Sequence, residues 1–244
     1  MSTNRHLTIL TGASRSMGLA MAHQLLAQGH ELLCIARKRN DTLPCEQWEM
    51  DLSEPQPVAR RLVAWLQQRA GAATGATLIN NAGLMPPIAQ LGASDRAAMA
   101  QALRVDLEAP LLLASAFLEA TAAWAVPRRI LNISSGLGRR AMAAQSVYCA
   151  AKAGMDHFSR CVALEEAVKP NGARIVSLAP GVIDTDMQVQ LRSADPGKFP
   201  DVGAFKGMKE SGALMSPETA AAKVLGYLAR PDFGANPVAD VRDA

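Results

Sequence analysis

Three residues of different kinds fall at spacings that could move a proton: Ser135, Tyr148 and Lys152. The run Ile130-Leu131-Asn132-Ile133 reads as a strand that ends in Ser134-Ser135. Tyr148 follows Ser135 by 13 residues, and Lys152 lies four further along a helical segment. That i, i+4 spacing puts Tyr148 and Lys152 on one helical face. A free tyrosine, with a pKa of about 10, exchanges protons poorly at neutral pH, and a neighbouring ammonium stabilises its phenolate. Lys152 is placed to supply that charge. A phenol beside a serine hydroxyl suits a carbonyl oxygen that gains a proton while its carbon gains hydride, one group donating and the other holding the oxygen. Alone, Tyr-x-x-x-Lys fits an exposed helix pair better, so the rest of the chain has to decide.

A hydride source needs its own binding place, and the N-terminal part of the chain offers one. After the apolar run Leu7–Leu10 comes Thr11-Gly12-Ala13-Ser14-Arg15-Ser16-Met17-Gly18, followed at once by the helical Leu19-Ala20-Met21-Ala22. A glycine-bearing turn from strand to helix lets the backbone approach a pyrophosphate, whose charge the helix N-terminus favours. Gly12, Ser14, Arg15, Ser16, Met17 and Gly18 are the candidate contacts. About 20 residues further on, NAD-binding folds place an acid that holds the ribose 2′-hydroxyl. This chain has Ala36-Arg37-Lys38-Arg39 there. With no carboxylate present, Arg37 and Arg15 are expected to clamp a 2′-phosphate, which predicts NADP(H) rather than NAD(H).

These side chains need elements to hold them. Short apolar runs predict buried parallel strands at Leu7–Leu10, Glu31–Ala36, Trp48–Met50, Thr77–Ile79, Arg129–Ile133 and Arg174–Leu178, with a weaker seventh near Val238–Val241. Helical periodicity covers Gly18–Gln28, Pro57–Ala70, Asp95–Ala122, Ser146–Ala167 and Pro217–Leu228. Alternating strands and helices predict an α/β domain with a parallel sheet covered on both faces. From Asp184 to Met215 this rhythm breaks: Pro196, Gly197, Pro200, Gly203, Gly207 and Gly212 interrupt short helical pieces. So long an excursion in a compact domain reads as functional, here a lid over substrate. No composition shift marks a boundary, so residues 1–244 read as one NADP(H)-binding domain with a lid at about 184–215.

Taken together, these motifs resemble the short-chain dehydrogenases/reductases over roughly residues 5–230. The matching pieces are the Thr11–Gly18 turn, Asp51-Leu52, Asn80-Asn81-Ala82-Gly83, Ser135, Tyr148-x-x-x-Lys152 and Pro180-Gly181-x-x-x-Thr185. The resemblance implies a single Rossmann-like, doubly wound parallel sheet. It also implies that Asp51 and Leu52 lie beside the adenine, that Asn81, Ala82 and Gly83 line the cofactor, and that Pro180, Gly181, Val182 and Thr185 touch its nicotinamide end. Tyr148 becomes the general acid/base, and Lys152 also holds the nicotinamide ribose. Two positions depart from the family: Ser16 replaces the usual middle glycine of the turn, and Asp106 stands where an asparagine usually organises a water-linked proton relay. The run Ala179–Gln188 and the later Gly212–Glu218 are similar to the sepiapterin reductases and the related bacterial benzil reductases. That similarity adds Met187 and, with a two-residue offset, Asp240 as substrate-side residues.

Composition narrows the alternatives. The 25 Lys+Arg against 22 Asp+Glu give a formal charge of +3, too small and dispersed to point to nucleic acid or a membrane surface. Cys34, Cys45, Cys149 and Cys161 form no CxxC pair, so neither a disulfide framework nor a zinc site is indicated, and His157 with Cys161 lacks further ligands. Met1–His6 lacks the apolar core of a signal peptide, which predicts a cytoplasmic enzyme. The expected partner is a small carbonyl substrate, reduced with NADPH to an alcohol: a ketone, with a vicinal diketone or a pterin side chain the leading candidates. A 3-oxoacyl-thioester reductase and a non-catalytic NADP(H) sensor are the competing functions. The family resemblance implies a homodimer or homotetramer packed through Asp95–Ala122 and Ser146–Ala167.

Overall fold

Residues 5–243 are described by a computed structural model. Seven parallel strands form one sheet in the order β3-β2-β1-β4-β5-β6-β7. They are β1 (Arg5–Thr11), β2 (Glu31–Ala36), β3 (Glu46–Glu49), β4 (Ala73–Asn80), β5 (Arg128–Ile133), β6 (Arg174–Ala179) and β7 (Val238–Asp240). Strand side chains alternate between two cores, as a period of two demands when both faces are covered. Leu7, Ile9, Leu33, Ile35, Leu78, Ile130 and Ile175 enter one core. Leu10, Leu32, Cys34, Ile79, Leu131, Val176 and Leu178 enter the other. Helices α1 (Ser16–Ala27) and α8 (Pro217–Ala229) cover the second core, with Met17, Met21, Leu25, Val224 and Leu228 turned inward. Helices α2 (Pro55–Gln67), α4 (Ala109–Thr121) and α5 (Ser146–Ala167) cover the first with Val58, Leu62, Leu113, Phe117 and Val162.

Helix boundaries follow local chemistry. Helix α8 begins at Ser216, whose Oγ accepts from Thr219 N at 3.1 Å, and continues through Pro217 and Glu218, an N-terminal pattern that satisfies a free donor and suits the dipole. The expected single helix over Asp95–Ala122 is divided into α3 (Arg96–Leu103), a π-helical turn at Arg104–Glu108, and α4. Pro110 follows that turn and has no N–H to return to the ladder, so the coil widens by one residue there. This wide turn places Asp106 inward, fully buried. β4 begins earlier than expected because Ala73, Gly75 and Ala76, weak strand formers by type, are paired to β1.

The Asp184–Met215 excursion is closed at its base. Ile183 bridges Met215, Met215 N donates to Val182 O and Asp184 N donates to Met215 O, both at 2.9 Å. Within it lie α6 (Asp186–Arg192) and α7 (Val202–Glu210). Their apolar side chains and that of Phe199 between them form a third core of Leu191, Phe199, Val202 and Phe205 against Met85 and Met142, with Phe199 and Phe205 stacked at 5.7 Å.

Candidate active site

β1 and β4 are neighbours, and the chain leaves them in opposite directions along the sheet, which opens a crevice at the carboxyl ends of the strands. There a cleft of about 1350 Å³ is lined by the glycine turn, the ends of β2, β4, β5 and β6, the start of α5, and the base of the excursion. All the sequence-predicted contacts except Asp106 reach its wall: Gly12, Ser14 to Gly18, Arg37, Asp51, Leu52, Asn81 to Gly83, Ser135, Tyr148, Lys152, Pro180 to Val182, Thr185, Met187 and Asp240. Asp106 lies one layer beneath.

The glycine turn is stapled to the end of β4. Thr11 Oγ1 accepts from Asn81 N and Ala82 N at 2.9 and 3.0 Å, and Asn81 Nδ2 donates to Thr11 O and Gly12 O at 2.9 and 3.2 Å. Gly12, at φ +71, approaches Ala82 so closely that a Cβ would sit 2.8 Å from its Cα; a Cβ on Gly18 would sit 2.6 Å from Asn81 Nδ2. Ser16 replaces a glycine and still adopts the left-handed region, with φ 50. Its Oγ is buried without a hydrogen-bond partner among the described residues, a donor aimed at the place where a turn of this kind holds phosphate oxygens. Backbone donors, a spare hydroxyl and a helix N-terminus together fit a dinucleotide pyrophosphate.

At the adenosine side, Arg37, Lys38 and Arg39 are exposed. Asp51 uses Oδ1 on Ser53 N at 2.8 Å, and Asn40 Nδ2 ties the basic turn to Ser14 O at 3.0 Å. Arg15, expected beside Arg37, reaches across the cleft to Asp186 of α6 at 2.6 Å, both side chains more than 70% exposed. Such an exposed pair contributes little stability.

At the other end, α5 carries Tyr148 and Lys152 one turn apart. The Lys152 ammonium is buried, donates to Ile133 O at 2.9 Å and lies 5.5 Å from the Tyr148 ring centre. Burial lowers its pKa, while the Asp106 and Asp156 carboxylates pull it back up. The expected lowering of the Tyr148 phenol is not found. Burial raises it first and the Asp106 charge raises it further, with the Ser135 hydroxyl acting in the opposite direction. Desolvation of the phenol outweighs the Ser135 hydroxyl, so the protonated form of Tyr148 is favoured. Ser135 Oγ itself accepts from Leu137 N at 3.1 Å. Asp106 accepts from Leu84 N at 2.7 Å through Oδ1 and leaves Oδ2 without a partner among the described residues. Burial lifts its pKa to about 6 against the pull of Lys152 and the Leu84 amide.

The site contains a residue the sequence did not announce. Asp156 is buried one further turn along α5, where its Oδ1 accepts from Ser134 Oγ at 2.6 Å and Ser177 Oγ at 2.7 Å; Arg139 Nε stands 3.5 Å from Oδ2. It binds the ends of β5 and β6 to the helix that carries Tyr148. Its i, i+4 relation to Lys152 was the available signal. Arg139, Arg140, Met142, Phe205 and Met208 also line this end. Asp240 is buried with its carboxylate already gripped by Arg242, at 2.8 Å from Nε and 2.6 Å from Nη2. His157 and Cys161 are both exposed on α5, and no group of three metal-ligating side chains occurs among the described residues. No helix among them is long and apolar enough to cross a membrane.

Comparison with known proteins agrees with this geometry. The short chain dehydrogenase family profile matches residues 6–196. Benzil reductase ((S)-benzoin forming) of Bacillus cereus is 33% identical over 235 residues, 92% of this chain and 94% of that protein. Sepiapterin reductase of Mus musculus is 30% identical over 256 residues, 96% of each. The crystal structure of a short-chain dehydrogenase/reductase from Burkholderia vietnamiensis is 34% identical and superposes with a TM-score of 0.66, covering 98% of this chain and all of that one. The chain belongs to the short-chain dehydrogenase family of oxidoreductases.

Proposed function

We propose that this chain is an NADPH-dependent carbonyl reductase, a single domain whose Asp184–Met215 segment is the substrate lid. The observation that carries this reading is the convergence of Ser135, Tyr148 and Lys152 on one end of a cleft whose far end carries Arg37, in the Ala36–Arg39 turn after β2 that holds no carboxylate. Bound NADPH would supply hydride to the carbonyl carbon. Tyr148, kept protonated by burial, donates its proton to the carbonyl oxygen, and the Ser135 hydroxyl holds that oxygen with a second hydrogen bond. Lys152 orients the nicotinamide ribose and, with Asp106 behind it, forms the path by which Tyr148 is reprotonated. Gly12 to Gly18 receive the pyrophosphate, Asp51 and Leu52 flank the adenine, Asn81 to Gly83 and Pro180 to Thr185 line the remainder, and Arg37 with Arg15 takes the 2′-phosphate.

The substrate end favours a ketone with apolar flanks, a vicinal diketone above a pterin. Met85, Met142, Met187, Leu191 and Phe205 supply apolar wall, and the Asp240 carboxylate that a pterin would use is committed to Arg242. Exposed Leu103 and Leu164 on α3 and α5 support the helix-packed homodimer or homotetramer expected from the sequence. Initial rates with NADPH against benzil, sepiapterin and an acetoacetyl thioester test the reading. Benzil is expected to have the highest kcat/KM. Fastest turnover of the thioester would make the chain a 3-oxoacyl reductase, and no turnover of any would leave a binding protein.

A further inference from the structure

Two thiols that the proposed chemistry does not use meet behind the basic turn. Cys34 is the fourth residue of β2 and Cys45 immediately precedes β3; their Sγ atoms are 3.7 Å apart. Both sit on the α1 side of the sheet, Cys34 in the core beside Leu43 and Cys45 packed against it. The segment they bracket contains Arg37, Lys38 and Arg39, which line the cleft, and Asn40, which holds Ser14 O.

We propose that Cys34 and Cys45 are a reversible disulfide site, and that closing it loosens the hold of the Arg37–Arg39 turn on a 2′-phosphate. A disulfide sets its sulfurs about 2.05 Å apart, so this pair has to close by roughly 1.6 Å. Cys34 cannot supply that movement, because β2 is hydrogen-bonded to β1 on one side and β3 on the other. The Cys45 arm can, since Asp41, Thr42 and Pro44 are exposed. Its displacement reaches the turn through Gln47, which donates to Asn40 O and Leu43 O at 3.0 and 3.1 Å and accepts from Asn40 N at 2.9 Å.

The two thiols differ in readiness. Cys45 is half-buried and within reach of a small oxidant, whereas Cys34 is 2% exposed. The contact with the Cys34 sulfur, helped by Arg39, holds Cys45 below the ordinary thiol range, and the same contact with burial pushes Cys34 up. With hydrogen peroxide as oxidant, the Cys45 thiolate attacks one peroxide oxygen, the O–O bond breaks, hydroxide leaves and a sulfenic acid forms. The Cys34 sulfur then attacks the Cys45 sulfur, loses its proton, and expels the sulfenic oxygen as water. Two thiols lose two electrons in total, and the peroxide is reduced to two waters.

The disulfide stands on the thiol geometry; its effect on cofactor rests on the NADPH reading above. Full-length protein treated with hydrogen peroxide, alkylated and cut with trypsin should yield Ser16–Arg37 joined to Asn40–Arg60, each carrying one of these cysteines, and dithiothreitol should separate them. NADPH titrated by fluorescence should show Kd rising by about three- to tenfold on oxidation and recovering on reduction, with Cys45→Ser and Cys45→Ala unresponsive. Cys45 carried to a sulfenic or sulfinic acid with no joined peptides would overturn the site. Joined peptides with an unchanged Kd, or the same Kd rise in Cys45→Ser, would overturn the coupling to the turn. Reduced protein that binds no NADPH, yet gives the joined peptides, would remove the cofactor reading and leave the disulfide standing.

Discussion

At one end of the cleft Lys152, Asp106 and Asp156 are withdrawn from water almost completely, while at the other Arg15, Arg37, Lys38 and Arg39 are exposed. Where water is excluded, each charge interacts strongly with its neighbours and proton affinities move: Asp106 rises to about 6, and the Tyr148 phenol rises above its usual value. Where water is present, charges act on a ligand through attraction that salt screens. On the function proposed above, reaction and cofactor selection would fall to opposite ends of one crevice. Changes at the buried end should alter rate and pH dependence, and changes at the exposed end should alter which cofactor is preferred and how salt affects it.

The largest effect is expected at the buried end. Tyr148→Phe removes the proton donor and little else, so kcat should fall by about 10²- to 10⁴-fold while NADPH affinity stays within a few-fold. A variant that keeps more than about a tenth of the wild-type rate would break the assignment. Arg37→Asp combined with Arg15→Ala tests the exposed end, because it removes two cations and introduces an anion where a 2′-phosphate is expected. The ratio of kcat/KM for NADPH over NADH should fall by roughly 10- to 100-fold, with preference passing to NADH. Equal use of both cofactors by the wild type would sink the proposal.

A subtler effect belongs to Asp106. Its carboxyl titrates near 6 in the folded protein, so the wild-type pH–rate profile should bend there as the carboxylate behind Lys152 is neutralised. Asp106→Asn should lose that bend and change the maximum by less than about tenfold. Superimposable profiles would show that the charge plays no part in the relay.

The smallest effect lies at the opposite end of the strands, near the start of β1, where burial acts without chemistry. His6 donates to or accepts from Thr77 Oγ1 at 2.8 Å, His30 does so with Thr8 Oγ1 at 2.8 Å, and the two rings are 4.8 Å apart. Burial first, then His30, lowers the His6 pKa from 6.5 to about 4. The folded state therefore disfavours the charged ring. Its full stability is present above the unfolded pKa of 6.5 and declines as pH falls from there towards 4. Tm should drop by on the order of a few degrees between pH 7 and pH 5, and His6→Gln should flatten that slope. Equal slopes in both forms would place the acid sensitivity elsewhere.

Much of this organisation was legible in the chain. The strands of the sheet announced themselves because full burial on both faces demands unbroken apolar runs, and Leu7–Leu10 and Glu31–Ala36 leave little choice. The Tyr148/Lys152 pair was legible because helical spacing fixes its geometry. What escaped depends on distant partners. The π-helical turn that buries Asp106 is set by Pro110 against a helix otherwise uniform in pattern. The rise of the Tyr148 phenol depends first on its burial and then on the Asp106 charge, which arrives from another helix and which no side-chain motif records. Asp156 escaped because its serine partners come from β5 and β6, some 20 residues away on either side.

The sheet ends in two short strands, and that bears on behaviour at high concentration. β3 has four residues, with Glu46 and Glu49 at its ends, and β7 has three and runs into the Asp240–Arg242 ion pair. An open row of backbone donors and acceptors is a template on which a second chain can add a strand, and brevity with fixed charge is how such templates are blunted. Lateral fusion of sheets into fibres is thereby discouraged at both margins. The apolar side chains that stand outward, such as Leu164, lie on the helices instead.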